Sequence, residues 1–183
     1  SGGRVDLTFG SALALFGGER EPRSHKRGLY ISAARAYLFN RVLGLRVQRG
    51  IWNQALPGEA LCLEGSRSFF VAESLDARIA ERLALQDLHP SGPLWGAGPN
   101  PALETEALAG LGTWREGLEA YGARLSRRAL RIRLRDLSWR WLDAQTLELS
   151  FGLPPGAYAT AALGELARFE GAQENGEDAE DEG

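Results

Sequence analysis

The stretch FGLPPGAYATAALGEL, Phe151 to Leu166, decides how the C-terminal part of the chain folds. It opens apolar, as the end of a buried strand does, and then meets Leu153-Pro154-Pro155-Gly156. Two consecutive prolines lack the N–H a strand ladder needs and cannot sit inside a helix, so the strand must stop there. Gly156 gives the corner its backbone freedom, and the alanine-rich run after it favours helix. The sequence therefore predicts a strand, a tight turn and a helix, with Tyr158 in the helix's first turn. An aromatic ring beside the free N–H groups of a helix start could receive a flat base and its phosphate. On geometry alone, half-buried packing is the simpler role for Tyr158.

Immediately upstream, Leu130 to Trp141 reads LRIRLRDLSWRW. Alternation predicts a strand with Leu130, Ile132 and Leu134 on one face and Arg131, Arg133 and Arg135 on the other. Residues 145–153 would be its partner, joined through Asp143-Ala144. Three parallel guanidinium groups repel one another unless something negative covers them. Carboxylates of a neighbouring strand could do so. An RNA backbone is the other candidate, since Trp139 and Trp141 beside the stripe offer stacking surface.

Further upstream, Ser32 to Val47 predicts a helix capped by Ser32, with Ala34, Leu38, Val42 and Leu45 on one face and Arg35 and Asn40 off it. A basic cluster, His25-Lys26-Arg27 with Arg20 and Arg23, precedes it and reads either as a phosphate contact or as a solvated linker. Residues 51–73 predict short strands, with a turn at Leu56-Pro57-Gly58-Glu59 and β-prone runs at 60–63 and 68–72. Leu75 to Leu88 predicts an amphipathic helix with Ile79 and Leu83 inward and Ala80 as a further inward candidate. HPSGPLWGAGPNP, His89 to Pro101, reads as an ordered loop packed down by Trp95; it lacks the Gly-Lys-Ser/Thr of a phosphate-binding loop. Ala102 to Gly122 predicts helix weakened by three glycines, and Phe9 to Phe16 a short helix-like piece.

At 183 residues and 44% hydrophobic content, the chain can form one ordinary core or two small ones. Its one cysteine, Cys62, and two histidines without acidic or cysteine companions exclude a zinc cluster and an internal disulfide. No long apolar segment or secretory leader is present in the sequence, so a cytoplasmic address without membrane contact is the expectation. The net charge is −3, yet seven of the 24 acids lie at or beyond Glu170 with no base among them, leaving a body of 17 acids against 21 Lys and Arg. That tail, 170–183, is expected to be disordered. It reads as a solubility device or as a mimic competing with RNA for a basic face.

Three blocks together resemble one family. LPPGAYAT resembles the C-terminal L-P-x-G-S-[YF]-A-T signature of the TruD family of tRNA pseudouridine synthases. RGLYISAARAYLFN, Arg27 to Asn40, resembles its R-x-x-x-L-S-A-A-R-x-x-L-F-N. WNQALPGEALCLEG and the following SFFV, within Trp52 to Val71, are similar to the hairpin after that helix. The resemblance implies an α+β fold of mixed helices and short antiparallel strands. It implies a returning piece of the catalytic domain over 1–23, an inserted family-specific domain over 24–128, and the C-terminal strands and helix of the catalytic domain over 129–169. It also implies a reaction: a uridine of tRNA is isomerised to pseudouridine without metal or cofactor, after extrusion of the nucleotide from its stack.

The family's catalytic aspartate belongs to a Gly-x-Lys-Asp motif that this sequence lacks, and Asp6, Asp76, Asp87, Asp136 and Asp143 stand in unlike contexts. No catalytic residue is assigned here. The chain is expected to begin just after the family's Arg-Phe-Gly motif, to be inactive alone, and to partner tRNA and a missing N-terminal catalytic half. Tyr158, with Leu153 and Gly156 of its block, would pack against the target base. Lys26, Arg27, Arg35, Arg131, Arg133, Arg135 and Trp139 are the candidate RNA contacts. Gly164 departs from the family's usual arginine. A free-standing RNA-binding or assembly module without catalysis is the alternative, and an exposed apolar face near the last strands distinguishes the two.

Overall fold

The structure, a computed structural model, describes residues 16, 24–97, 102–154, 157 and 159–166, with no side-chain description for 24–26, 102, 160 and 161. The Phe9–Phe16 piece (except Phe16), Gly156, Tyr158, the Lys26 side chain and the acidic tail lie outside that description. The chain divides into two compact units, one ending at Arg131 and the other starting at Ile132. Both mix helices with antiparallel strands, the expected α+β class. No described helix is long and apolar enough to cross a membrane.

The first unit is built on α1, Ser24–Gln48. This helix starts eight residues before the Ser32 predicted to cap it, because Ile31 already packs on the core formed by Ala34, Leu38 and Val42. The buried stripe continues at four-residue steps to Arg46, whereas Leu45 is only half-buried. Arg46 is 1% exposed and sits there because it is neutralised on the spot. Its Nη1 and Nη2 donate to the two oxygens of Glu59 at 2.6 and 3.1 Å, and Nη2 also donates to the Gln54 carbonyl at 2.6 Å.

Glu59 opens β1, Glu59–Leu63, which pairs antiparallel with β2, Phe69–Ala72, as the two β-prone runs predicted. The predicted amphipathic helix is α2, Ala77–Ala84, shorter than expected. Asp76 caps it, accepting from the Ile79 N–H at 2.8 Å. Ile79 and Leu83 pack on Leu61, Ala72 and Leu88, whereas Ala80 is exposed, and the chain leaves α2 through Gln86 at φ 58°.

The loop expected at His89 to Pro101 is corrected in its first half. Leu88–Leu94 is strand β3, and it is one of the two inner strands of a sheet ordered β2-β1-β3-β4, where β4 is Ser126–Ala129. Prolines normally argue against an inner strand. Here the ladder changes partner midway, so neither edge of β3 needs a full run of N–H donors. Leu88 to Pro90 pair with β1, and Ser91 to Leu94 pair with β4. Trp95 follows and packs as expected, 5% exposed, with its Nε1 donating to Glu119 at 3.0 Å. The weak helical region is two helices, α3 (Ala102–Ala107) and α4 (Gly112–Ala120), broken at Gly110 with φ 79°. Gly117 faces Phe16 so closely that a Cβ there would fall 2.4 Å from the ring.

The strand predicted over 130–141 is also corrected: residues 130–134 leave the sheet, and only Arg135–Trp141 is a strand, β5. It pairs antiparallel with β6, Leu147–Gly152, and after Leu153 and Pro154 the chain enters α5, Ala159–Leu166. The Ala157 N–H closes the intervening turn on the Pro154 carbonyl at 3.1 Å.

Candidate nucleic-acid interface

The arginines singled out in the sequence do unlike things in the first unit. Arg35 projects from α1 across the end of β3 and the start of β4. Its Nη2 donates to the carbonyls of Leu94 and Arg124, both at 2.8 Å, and lies 2.9 Å from Ser126 Oγ. Burial, reinforced by nearby Arg128, pulls its pKa below the ordinary arginine value. Arg35 thus fastens the helix to the β3–β4 ladder. Arg27 lies over the Tyr121 ring at 5.6 Å, a cation–π contact.

Arg131 is the last residue of the first unit and turns back into it. Its Nη1 donates to Asn53 Oδ1 at 2.6 Å, its Nη2 to the Leu83 and Leu88 carbonyls at 2.7 and 2.9 Å, and its Nε to His89 Nδ1 at 3.1 Å. The far nitrogen of His89, Nε2, is 2.8 Å from Glu64 Oε2. The chain of partners from Glu64 through His89 to Arg131 and Asn53 joins β1, β3 and the α2 terminus. Burial lowers the Arg131 pKa as well. Arg131 therefore does not share a strand face with Arg133 and Arg135.

The second unit presents its residues differently. Between β5 and β6, Arg135 pairs with Gly152 and Ser138 with Ser150, so β5 carries one extra residue in that interval. Asp136 absorbs the bulge at φ 51°, a left-handed conformation that aspartate tolerates better than most side chains. The extra residue inverts the alternation. Arg135 joins Ser138, Arg140, Glu148 and Ser150 on one face, and Leu137, Trp139, Trp141, Leu147, Leu149 and Phe151 take the other. Of the three expected arginines only Arg135 lies on the hairpin, and the tryptophans expected beside it are on the opposite face.

On the polar face Arg140 grips Glu148 with Nε to Oε1 at 2.7 Å and Nη2 to Oε2 at 3.0 Å. Arg133 and Arg135 are exposed, Arg135 being already engaged within the protein. On the apolar face Trp139 and Trp141 are each 66% exposed, and Leu137 and Leu147 are exposed too. A two-stranded hairpin is marginal by itself in water, and this one leaves an indole-rich face uncovered within the described residues. Leu153, at the exit of β6, is half-buried.

Of the aspartates that the sequence left open, three have structural work besides Asp136 at the bulge. Asp76 caps α2, Asp87 pairs with Arg82 at 2.6 Å, and Asp143 accepts the Gln145 N–H at 2.8 Å in the hairpin turn. That bond, with others from Thr146, holds the Asp143 carboxyl below its ordinary pKa. The sequence reading missed the two buried ion pairs, Arg46–Glu59 and Arg127–Glu104. Burial raises the Glu104 pKa, with Arg127 opposing. The only signal for the first pair was the four-residue step from Val42 to Arg46.

Comparison with known proteins places these features in a family. The family profile described as tRNA pseudouridine synthase D (TruD) matches residues 22–166. A tRNA pseudouridine synthase D of Nitrosococcus oceani is 51% identical over 174 residues, which are 91% of this chain and 49% of that protein. Its counterpart in Xanthomonas euvesicatoria pv. vesicatoria is 48% identical over 186 residues, 90% of this chain and 50% of that one. A crystal structure assigned to tRNA pseudouridine synthase D (TruD) of Methanosarcina mazei superposes with a TM-score of 0.63 at 22% identity, covering 79% of this chain and 38% of that one. At that identity the likeness speaks for the fold. The chain spans about half the length of the curated relatives it matches.

Proposed function

This chain belongs to the tRNA pseudouridine synthase D (TruD) family, and we propose that it acts as the RNA-gripping, pocket-walling part of an enzyme that isomerises a uridine of tRNA to pseudouridine. In that reaction the N1–C1′ glycosidic bond breaks, the base turns, C5 bonds to C1′, the proton on C5 leaves to solvent and N1 takes one up. The catalytic aspartate comes from the rest of a family-length protein. Residues 129–169 would join that catalytic fold, and residues 24–128 would form the family-specific insert.

The observation that carries the reading is the uncovered face of the hairpin, with Trp139 and Trp141 in its middle. A sealed hairpin would suit the free-standing module; an open one suits a piece of a larger sheet. The half-length match to the relatives supports the same view. Tyr158, Gly156 and Leu153 would wall the pocket for the target base. Lys26, Arg27, Arg133 and Arg135 would contact the RNA backbone, while Arg35 and Arg131 would support it indirectly by fixing the insert. Trp139 would serve the RNA only where the rest of the sheet leaves it open.

The test is tritium release from tRNA carrying [5-³H]uridine, first with this chain alone and then with an N-terminal half of the Nitrosococcus oceani relative added. Silence alone and release with the added half is the expected result. Release by the chain alone would place a catalytic aspartate within it, and silence in both would return the chain to the non-catalytic module.

A further inference from the structure

A groove of about 220 Å³ lies between α1 and α3, bordered by Asn40, Arg41, Gly44, Gln48 and Glu106. We infer that it holds a single nucleotide of bound RNA, with the base edge read by the amides of Asn40 and Gln48 and a flanking phosphate met by Arg41. The inference rests on the proposed RNA-binding role and adds a site to it.

Three observations lead there. The first concerns RGLYISAARAYLFN, whose motif residues are nearly all accounted for by the fold. Ala34, Leu38 and Phe39 are buried, and Arg35 is anchored on two carbonyls and a hydroxyl. Asn40, the last of them, is exposed and hydrogen-bonds to none of the described residues. No described side chain uses its amide.

Second, Arg41 and Gln48 are likewise exposed without a partner among the described residues, while Arg49 beside them is held by Glu106 at the rim. Amides that can both donate and accept, next to one uncommitted cation, suit a base edge and a phosphate. Third, the floor is open. A Cβ added at Gly44 would meet nothing within 4 Å. The groove is smaller than the roughly 300–1,000 Å³ sites of drug-sized ligands, which suits one flat ring.

The experiment is anisotropy of labelled tRNA with the 183-residue chain across a KCl series, for the wild type, Asn40→Ala, Gly44→Leu and Arg41→Gln. Losing one or two base contacts should raise Kd about fivefold or more for Asn40→Ala and Gly44→Leu at every salt concentration, with the slope against log salt unchanged. Arg41→Gln should reduce that slope by about one. Helical circular dichroism and the melting midpoint should not fall for any of the three, since each position is solvent-facing. Wild-type Kd values for both Asn40→Ala and Gly44→Leu would overturn the groove, even where Arg133→Gln and Arg135→Gln weaken binding and so keep the RNA-binding role. No measurable tRNA binding by the wild type would also overturn it, and the tritium assay would then judge the enzymatic reading separately.

Discussion

Residues 24–131 and residues 132–166 both interleave arginine with apolar side chains, and they spend their arginines in opposite ways. In the first unit Arg35, Arg46, Arg127 and Arg131 point into the protein and end on carbonyls or carboxylates. Each ties one element of the unit to another, as a staple would. In the second unit Arg133, Arg135 and Arg140 stay at the surface, and two tryptophans stay there with them. The difference teaches that arginine spacing alone does not announce a nucleic-acid face. What decides is whether the guanidinium is taken into the fold, as Arg46 is, or stays at the surface even when paired, as Arg140 is on Glu148.

The largest effect should come from breaking a staple. Arg46→Ala leaves Glu59 charged and buried, which typically costs about 3–5 kcal/mol. Urea unfolding of the first unit should move by that amount, whereas a shift below about 1 kcal/mol would mean the pair is solvated in solution. Next is Arg131→Gln, which gives up several hydrogen bonds at the end of the unit. It should lower stability by about 1–3 kcal/mol and leave the salt slope of tRNA binding alone. Arg133→Gln with Arg135→Gln should do the reverse, with stability within about 0.5 kcal/mol of wild type and the slope reduced by about two. Equal behaviour of the two variants would erase the distinction between the units.

The smallest effect concerns pH. Asp143 has its pKa depressed by the hairpin turn. Its contribution is present above the unfolded value of about 3.9 and fades as pH falls through the lower folded value. Glu104 has its pKa raised, so its contribution has the opposite sign: present below about 4.3 and lost as pH rises through the folded value. Tryptophan fluorescence of the hairpin between pH 5 and 2 should therefore lose an acid-induced change in Asp143→Asn, and the same acid transition in both proteins would remove Asp143 from the turn's support.

Much of the fold could be read from local pattern. The stripe on α1, the two β-prone runs, the inward Ile79 and Leu83, and the strand, turn and helix around Pro154 all follow from periodicity and turn chemistry. Strand β3 did not, because its prolines are tolerated only through a change of pairing partner that no local window contains. The bulge at Asp136 was equally hidden. One extra residue there moved Arg135 to the other face, so a correct alternation gave an incorrect grouping. The roles of Arg35 and Arg131 depend on carbonyls 43 to 89 residues away, beyond any spacing rule.

The most direct test of the central claim, that the tryptophan face seats the rest of a synthase, is calorimetric titration of the N-terminal half of the Nitrosococcus oceani relative into this chain and into Trp139→Ser/Trp141→Ser. The account predicts binding to the wild type with a negative heat-capacity change, and at least tenfold weaker binding to the variant, with its melting midpoint unchanged. Equal affinity for both, or no binding to either, would contradict it.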